Sequence, residues 1–344
     1  MGQIYMQSAD ALAQTSLYQF LMNLLYGIAK TRSPLLNLVF SLITYLGHEV
    51  VFIVVGMLLI WCVNKKYGYR FMSVFMVGNL LNQFLKALFM VPRPWVVDPD
   101  FRVVGDDLGD SWLNAKNAAT GFSFPSGHTQ SACMTLGGVA IYLKKWWGYL
   151  LAAVLTVLVA YSRMYLGVHT LLDVAVGLAL GILTLVLVNA LFHKLCDSNK
   201  SFAVLLILGN LLCAAMVLFL LASPAHADSH SLKNAYVLLG TTMGFTFGWF
   251  FDAYVVKFET KAVWWVQIIK LVLGGLLVIG VRLGLKSLFR ALGLTMLDEN
   301  GERVIYPVLD GVRYLVMTFL ALGIYPMLFA PLQKLGERKA AQQA

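Results

Sequence analysis

The chain has 344 residues, of which 59% are hydrophobic and 12% charged, and its mean hydropathy is +0.75. That composition excludes an ordinary soluble globule, because too much apolar surface would be left facing water. The net charge of +9 does not indicate nucleic acid either, since Lys65, Lys66, Lys144 and Lys145 fall in short breaks between apolar stretches, where cations orient membrane helices.

In chain order, residues 16–30 place Leu, Phe and Tyr at helical spacing with polar residues between, which predicts an interfacial helix capped by Thr15 or Ser16. The first twenty residues lack a basic start followed by an apolar core, so no cleavable signal peptide is expected. A bilayer core of about 30 Å takes roughly 20 helical residues to cross. Nine segments approach that length: 48–63, 71–91, 127–143, 147–165, 170–193, 203–222, 234–256, 264–288 and 310–333. The expected fold class is all-α, a polytopic membrane helix bundle of six core helices and about three additional C-terminal transmembrane helices. The composition shift at 223–233 (SPAHADSHSLK) is the expected boundary. It divides the chain into an N-terminal tail and interfacial helix at 1–33, a six-helix core at 34–222, and three further helices with the polar tail Glu337–Ala344 at 223–344.

Short basic breaks at 64–70, 144–145, 194–200 and 257–261 are expected in the cytosol by the positive-inside tendency. The long loop 92–125 and the breaks near 166–170 and 223–233 then face the other side, although Arg282, Lys286, Arg290 and Arg303 fall there too. Cys62, Cys133 and Cys213 sit in apolar stretches and Cys196 in a break, with no metal-ligand or paired spacing, so inert thiols are expected.

Three clusters put charged or reactive side chains at the ends of apolar helices, all on the outer side. They are Lys86-x6-Arg93-Pro94, Pro125-Ser126-Gly127-His128, and Ser162-Arg163 followed by His169 and Asp173. Lys86, Arg93 and Arg163 supply three cations for a dense anion such as phosphate. The Ser126-Gly127 turn adds backbone N–H donors at a positive helix end, and Gly127 lets that backbone approach closely. His169 and Asp173 are four apart at a helix start, so the carboxylate can hold one ring nitrogen while the other attacks phosphorus. His128, from another helix, is placed to protonate the leaving oxygen.

Together these clusters resemble the three-part signature of the type 2 phosphatidic acid phosphatase superfamily, with every signature position filled. The resemblance implies a six-helix catalytic core with its site at the outer membrane face and a phosphohistidine on His169, supported by Asp173. It implies His128 as acid and then as activator of water, and Lys86, Arg93, Arg163 and the Ser126-Gly127 backbone as phosphoryl ligands. No cofactor and no metal are implied, and the sequence shows no carboxylate cluster spaced for magnesium. More loosely, Tyr165–Asp173, Gly47-His48-Glu49 and the three C-terminal helices resemble the sphingosine-1-phosphate phosphatase branch, although Gly127 stands where that branch usually has threonine. Glucose-6-phosphatase resembles the same nine-helix layout.

The expected substrate is a phosphomonoester or diphosphate on a membrane lipid: a sphingoid or other long-chain phosphate, phosphatidic acid, phosphatidylglycerol phosphate or a polyprenyl diphosphate. A soluble sugar phosphate is the alternative, followed by a non-catalytic lipid transporter and a vanadate haloperoxidase. The expected setting is a bacterial cytoplasmic membrane, or else endoplasmic reticulum, with the site on the non-cytoplasmic side and no nucleic-acid partner. Asn79, Asn82 and Gln83 share a helix face with Lys86 and either line the pocket or bond between helices. Trp95, Phe122 and Phe124 flank the cradle as interfacial aromatics, and Asp106, Asp107 and Asp110 read as a solvated loop. His48, Glu49, His226 and His230 read as interfacial or loop residues. Asp252 and Lys270 pair with each other or Lys270 snorkels, and Gly280 with Gly284 fits a small-xxx-small helix contact.

Overall fold

The computed structural model describes residues 10–117, 119–195, 198–223, 229–297, 301 and 303–335. Cys196, His226 and the tail Glu337–Ala344 lie outside the described residues. The order of helices is α1 (Ser16–Ala29), α2 (Pro34–Ile43), α3 (Glu49–Leu58), α4 (Lys65–Phe89), α5 (Pro94–Val97), α6 (Gly127–Leu143), α7 (Trp146–Tyr165), α8 (Leu171–Leu195), α9 (Asn199–Ala222), α10 (Ser229–Phe251), α11 (Trp264–Ala291) and α12 (Pro307–Phe319). Three-residue strands β1 (Thr295–Leu297) and β2 (Arg303–Ile305) pair antiparallel, an element that no period in the sequence announces.

Two compact units form: Met1–Ile53 with Val77–Val188 and Pro224–His230, and Val54–Met76 with Asn189–Ser223 and Ser231–Ala344. In the first, α1 begins as its sequence demands, with the Thr15 hydroxyl accepting from Tyr18 N at 3.3 Å. Its apolar face buries Tyr18, Met22 and Leu25 with Phe101 of the long loop. Arg32, just past α1, donates to the carbonyls of Tyr165 at 3.0 Å and Arg102 at 2.6 Å. The end of α1, the long loop and the end of α7 are thus tied together.

The expected first span at 48–63 is corrected. Residues 49–63 are the second half of a pair, Pro34–Gly47 and Glu49–Val63, bent by 49° at His48, and only the pair together is apolar and long enough to cross. Pro34 at the first helical position, with Ser33 as cap, starts a helix the span reading passed over. Among the described residues, six helices are long and apolar enough to cross a membrane, or up to seven with the bent pair. The helices at 127–143 and 234–256 form but are not among these six: α6 has 17 residues and α10 opens on polar Ser229, His230, Ser231, Lys233 and Asn234. Polar residues are tolerated in α6 because they find partners on other helices. Gln130 donates to Gly78 O at 2.9 Å and accepts from Asn82 at 2.7 Å.

In the second unit, Trp61 packs edge-on against Tyr325 with ring centroids 5.2 Å apart. Asp252 does not pair with Lys270. It accepts from Lys65 Nζ at 3.0 Å, from Tyr69 OH at 3.2 Å and from Phe258 N at 3.3 Å. Lys270, 0% exposed, donates to Thr260 O at 3.2 Å and lies 4.7 Å from the Phe329 ring centroid. Added Cβ atoms at Gly280 and Gly284 would meet nothing within 4 Å, so none of the described helices packs at that motif. Asp310 and Arg313 form a buried ion pair at 2.7 Å.

The buried Asp252 ties three segments together. Asp252→Ala should lower stability by about 1–3 kcal/mol, the cost of stranding a buried cation that part-exposure at Lys65 relieves. A depressed thermal midpoint of detergent-purified protein checks this, and an unchanged midpoint contradicts it.

Candidate active site

All eight residues expected in the site belong to the first unit. Lys86 sits in the last turn of α4, and its Nζ donates to Phe122 O at 2.7 Å. Arg93, held between two prolines at the start of α5, is 4% exposed. Its Nε donates to Gly121 O at 3.0 Å, its second terminal nitrogen to Thr120 O at 2.8 Å, and its first to Val168 O at 3.0 Å. The two cations thereby hold the returning end of the long loop, and Ser123 N completes the anchor by donating to Val91 O at 2.8 Å.

Ser126 caps α6, its hydroxyl accepting from Thr129 N at 3.4 Å. Gly127 and His128 are therefore the first two residues of a 17-residue helix, ahead of its first backbone bond from Gln130 N to Ser126 O. Their N–H groups are the unsatisfied donors of a helix start. Ser126 N donates to Asp173 O at 3.0 Å. A Cβ at Gly177 would lie 2.5 Å from Ser126 O, so only glycine lets α8 come this near the turn. A Cβ at Gly127 would meet no atom nearer than Asn82 Oδ1 at 3.8 Å, so the protein's own packing does not require glycine there.

Asp173 is fixed by a reciprocal cap. Its Oδ2 accepts from Thr170 N at 2.8 Å while its own N donates to Thr170 Oγ1 at 3.4 Å, the capping-box pattern at the start of α8. The same Oδ2 accepts from Ser123 Oγ at 2.7 Å and lies 3.5 Å from His169 Nδ1. Ser123 Oγ is closer to that nitrogen, at 3.3 Å. Nε2 of the same ring is 3.0 Å from a terminal nitrogen of Arg93. A guanidinium only donates, so Nε2 is the unprotonated nitrogen and Nδ1 carries the proton toward Ser123 and Asp173. His169 lies in the break between α7 and α8 and is 2% exposed. Burial foremost, then the Arg93, Arg163 and Lys86 cations, push its imidazole well below the ordinary value of 6.5, so the ring is neutral.

Arg163, 1% exposed in the last turn of α7, donates to Thr44 Oγ1 at 2.8 Å, and its Nε has no hydrogen-bond partner. His128 is half-buried, and no described residue hydrogen-bonds its ring. It meets His48 edge-on at 5.8 Å between ring centroids, because a Cβ-less Gly47 packs against His128 O. His48, read as an interfacial residue, is thus part of the site's surround. Asn82 bonds Gln130 between helices, and Trp95 stacks on Arg93 with 5.8 Å from guanidinium carbon to ring centroid. Of the acidic run, Asp106 pairs with Lys116 and, at 3.9 Å, with Arg102. Sequence reasoning missed Ser123, Thr44 and Thr170. The Thr170-x-x-Asp173 box was available as a signal, whereas nothing local marks Ser123 or Thr44. Among the described residues, no three His, Cys, Asp or Glu side chains gather as metal ligands.

Residues 67–197, which include all eight positions, match the PAP2 superfamily, and residues 236–338 match the PAP2 superfamily phosphatase transmembrane extension. Phosphatidylglycerophosphatase B of Bacillus subtilis is 31% identical over 179 residues, covering 48% of this chain and 79% of that one. Sphingosine-1-phosphate phosphatase 1 of Mus musculus is 26% identical over 275 residues, covering 74% of this chain and 61% of the relative. The crystal structure of the transmembrane PAP2 type phosphatidylglycerolphosphate phosphatase from Bacillus subtilis superposes with a TM-score of 0.44 at 28% identity, over 56% of this chain and 94% of that one. With its signature region and its C-terminal helices both matched, this multi-pass membrane chain belongs to the PAP2 superfamily.

Proposed function

We propose that the chain hydrolyses a phosphomonoester or diphosphate on a long-chain membrane lipid through a phosphohistidine on His169 Nε2. The single observation that carries this reading is the polarity of that ring: Nδ1 faces Ser123 and Asp173, and the unprotonated Nε2 faces Arg93. A phosphoryl oxygen that takes over the Arg93 contact puts phosphorus within reach of the Nε2 lone pair. Nε2 then attacks, the P–O ester bond breaks, and His128 gives its proton to the leaving oxygen. In the second half His128 takes a proton from water, the oxygen attacks phosphorus, and the P–N bond breaks to release phosphate and restore neutral His169. Asp173 supports the imidazolium character of the intermediate, as Ser123 and the Thr170 box hold it in place.

Lys86, Arg93, Arg163 and the N–H groups at the Ser126-Gly127 turn supply the charge that a phosphoryl group needs, so the reading assigns no metal. The proposed arrangement is a catalytic core over 34–222 and an accessory set of helices over 223–344. Its site opens on the non-cytoplasmic face of a bacterial cytoplasmic membrane. A lipid substrate is supported by the membrane spans of the chain and by its similarity to a phosphatidylglycerophosphatase and a sphingosine-1-phosphate phosphatase.

Purified protein should release phosphate from a panel of sphingoid phosphate, phosphatidic acid, phosphatidylglycerol phosphate and polyprenyl diphosphate, in the presence of EDTA, faster than from glucose 6-phosphate. His169→Ala should cost about 10⁴-fold or more in kcat while remaining folded. Full activity in a folded His169→Ala protein would remove the nucleophile from this scheme, and loss in EDTA restored by magnesium would remove the metal-free step. Ser123→Ala should lower kcat by roughly 10- to 100-fold with little change in KM, because it loosens the support of Asp173 and His169 and not the phosphate ligands. A change in KM alone would argue against that role.

The pH profile of kcat/KM should be bell-shaped. His169 must be neutral to attack, and its depressed value means protonation sets in only well below 6.5, so the acid limb falls on that side. The alkaline limb follows loss of the His128 proton, and because burial and then the Arg163 charge hold that imidazole well below 6.5 too, the optimum lies on the acid side. An acid limb at or above neutrality would contradict the assignment.

A further inference from the structure

The second unit contains a cavity of about 330 Å³ that takes no part in this chemistry. Three basic breaks far apart in sequence meet there: Lys65 and Lys66 open α4, Ser198 and Asn199 open α9, and Lys257 follows the turn after α10. Its floor is neutral, since Asp252 is held by Lys65 at 3.0 Å and Tyr69 at 3.2 Å, and Lys65 also donates to Phe258 O at 2.8 Å. Lys66 and Lys257 are exposed and have no ion-pair partner among the described residues. The cavity lining therefore carries excess positive charge, reinforced by the start of the 24-residue α9.

Another part of the lining is aromatic. Phe202 lies between Phe192, 5.2 Å away, and Trp249, 4.9 Å away, measured between ring centroids. A lining that joins cations with aromatic rings fits an amphiphile whose head is a phosphate. None of the described lining residues is a histidine, so nothing among them resembles a nucleophile for phosphorus. The same breaks are those the positive-inside tendency assigns to the cytosolic surface, where anionic lipid head groups concentrate.

We propose that this cavity binds the phosphate head group of an anionic phospholipid without hydrolysing it, with Lys66, Lys257 and the start of α9 against the phosphate and the Phe192–Phe202–Trp249 wall against the upper acyl chain. The test uses the full chain carrying His169→Ala, so that no lipid is consumed, in a neutral detergent. Phosphatidylglycerol, phosphatidylcholine and inorganic phosphate are titrated separately and the one-to-one adduct is read by native mass spectrometry. Phosphatidylglycerol should bind far better than phosphatidylcholine. Lys66→Gln with Lys257→Gln in the same background should weaken it roughly 30-fold, the loss of two lysine attractions near a membrane surface. Lys66→Arg with Lys257→Arg should retain binding.

Any phosphatidylglycerol held at the catalytic cluster is common to all these variants and cancels in the comparison. Lys257→Glu alone, an exposed change that spares the fold, should also weaken binding. Phosphatidylglycerol affinity that survives both the glutamine pair and Lys257→Glu overturns the proposal. Inorganic phosphate that competes with phosphatidylglycerol supports recognition of the head group, whereas inorganic phosphate binding with no phosphatidylglycerol binding overturns the lipid as the source.

Discussion

The contact between Arg93 and Nε2 of His169 is the interaction on which the site depends. A neutral imidazole offers one lone pair, and the guanidinium claims it at 3.0 Å, which fixes the ring's tautomer and its direction together. The remaining bonds described for Arg93 go to backbone carbonyls from both sides, Thr120 and Gly121 from the long loop and Val168 from the break before α8. Carbonyl oxygens satisfy the donors of a buried cation without cancelling its charge. Arg163 follows the same pattern more starkly: it is 1% exposed, bonds a threonine hydroxyl, and leaves Nε unsatisfied. In the proposed function a phosphoryl group brings its negative charge to these cations.

Holding such a cluster together requires helices that do not yield. Two caps do this at the helix starts, Ser126 on α6 and the Thr170–Asp173 box on α8, and Ser126 N joins them by bonding Asp173 O at 3.0 Å. Gly177 then decides how near the two helices come, since a Cβ there would sit 2.5 Å from Ser126 O. A small residue in α8 thus sets the separation between the capped start of one helix and the carboxylate of the next. The side-chain chemistry and the backbone packing are one constraint.

The sequence made the fold class, the helix positions and the three clusters legible because each is written locally, in hydropathy windows and short spacings. The start of α1 at Thr15 was readable for the same reason, as one side-chain oxygen preceding an amphipathic run. What lay beyond it are pairings across long separations. Ser123 reaches Asp173 over 50 residues and Arg163 reaches Thr44 over 119, and neither serine nor threonine carries a mark that distinguishes it from its neighbours. The bent pair at His48 escaped because its first half, Pro34–Gly47, is too short to register alone, and Lys65 was not read as a partner of Asp252 because it lies in a basic break 187 residues away, whereas Lys270 stands out as a charge inside an apolar stretch.

That last ambiguity has a physical resolution. In an apolar stretch, Asp252, Asp310, Arg163 and Lys270 look alike, since each is a costly charge that needs a reason to be there. Partner chemistry separates them. Asp252 with Lys65 and Asp310 with Arg313 are opposite charges that neutralise one another inside the second unit, so their effect ends at the fold. Lys270 is stabilised by a carbonyl and the face of Phe329. Arg163 has a hydroxyl for a partner and a donor to spare, which the proposed function gives to a phosphoryl oxygen. A buried cation met by a carboxylate is complete within the fold, whereas Arg163, met by a hydroxyl, is the one that the proposed function leaves for a phosphoryl oxygen.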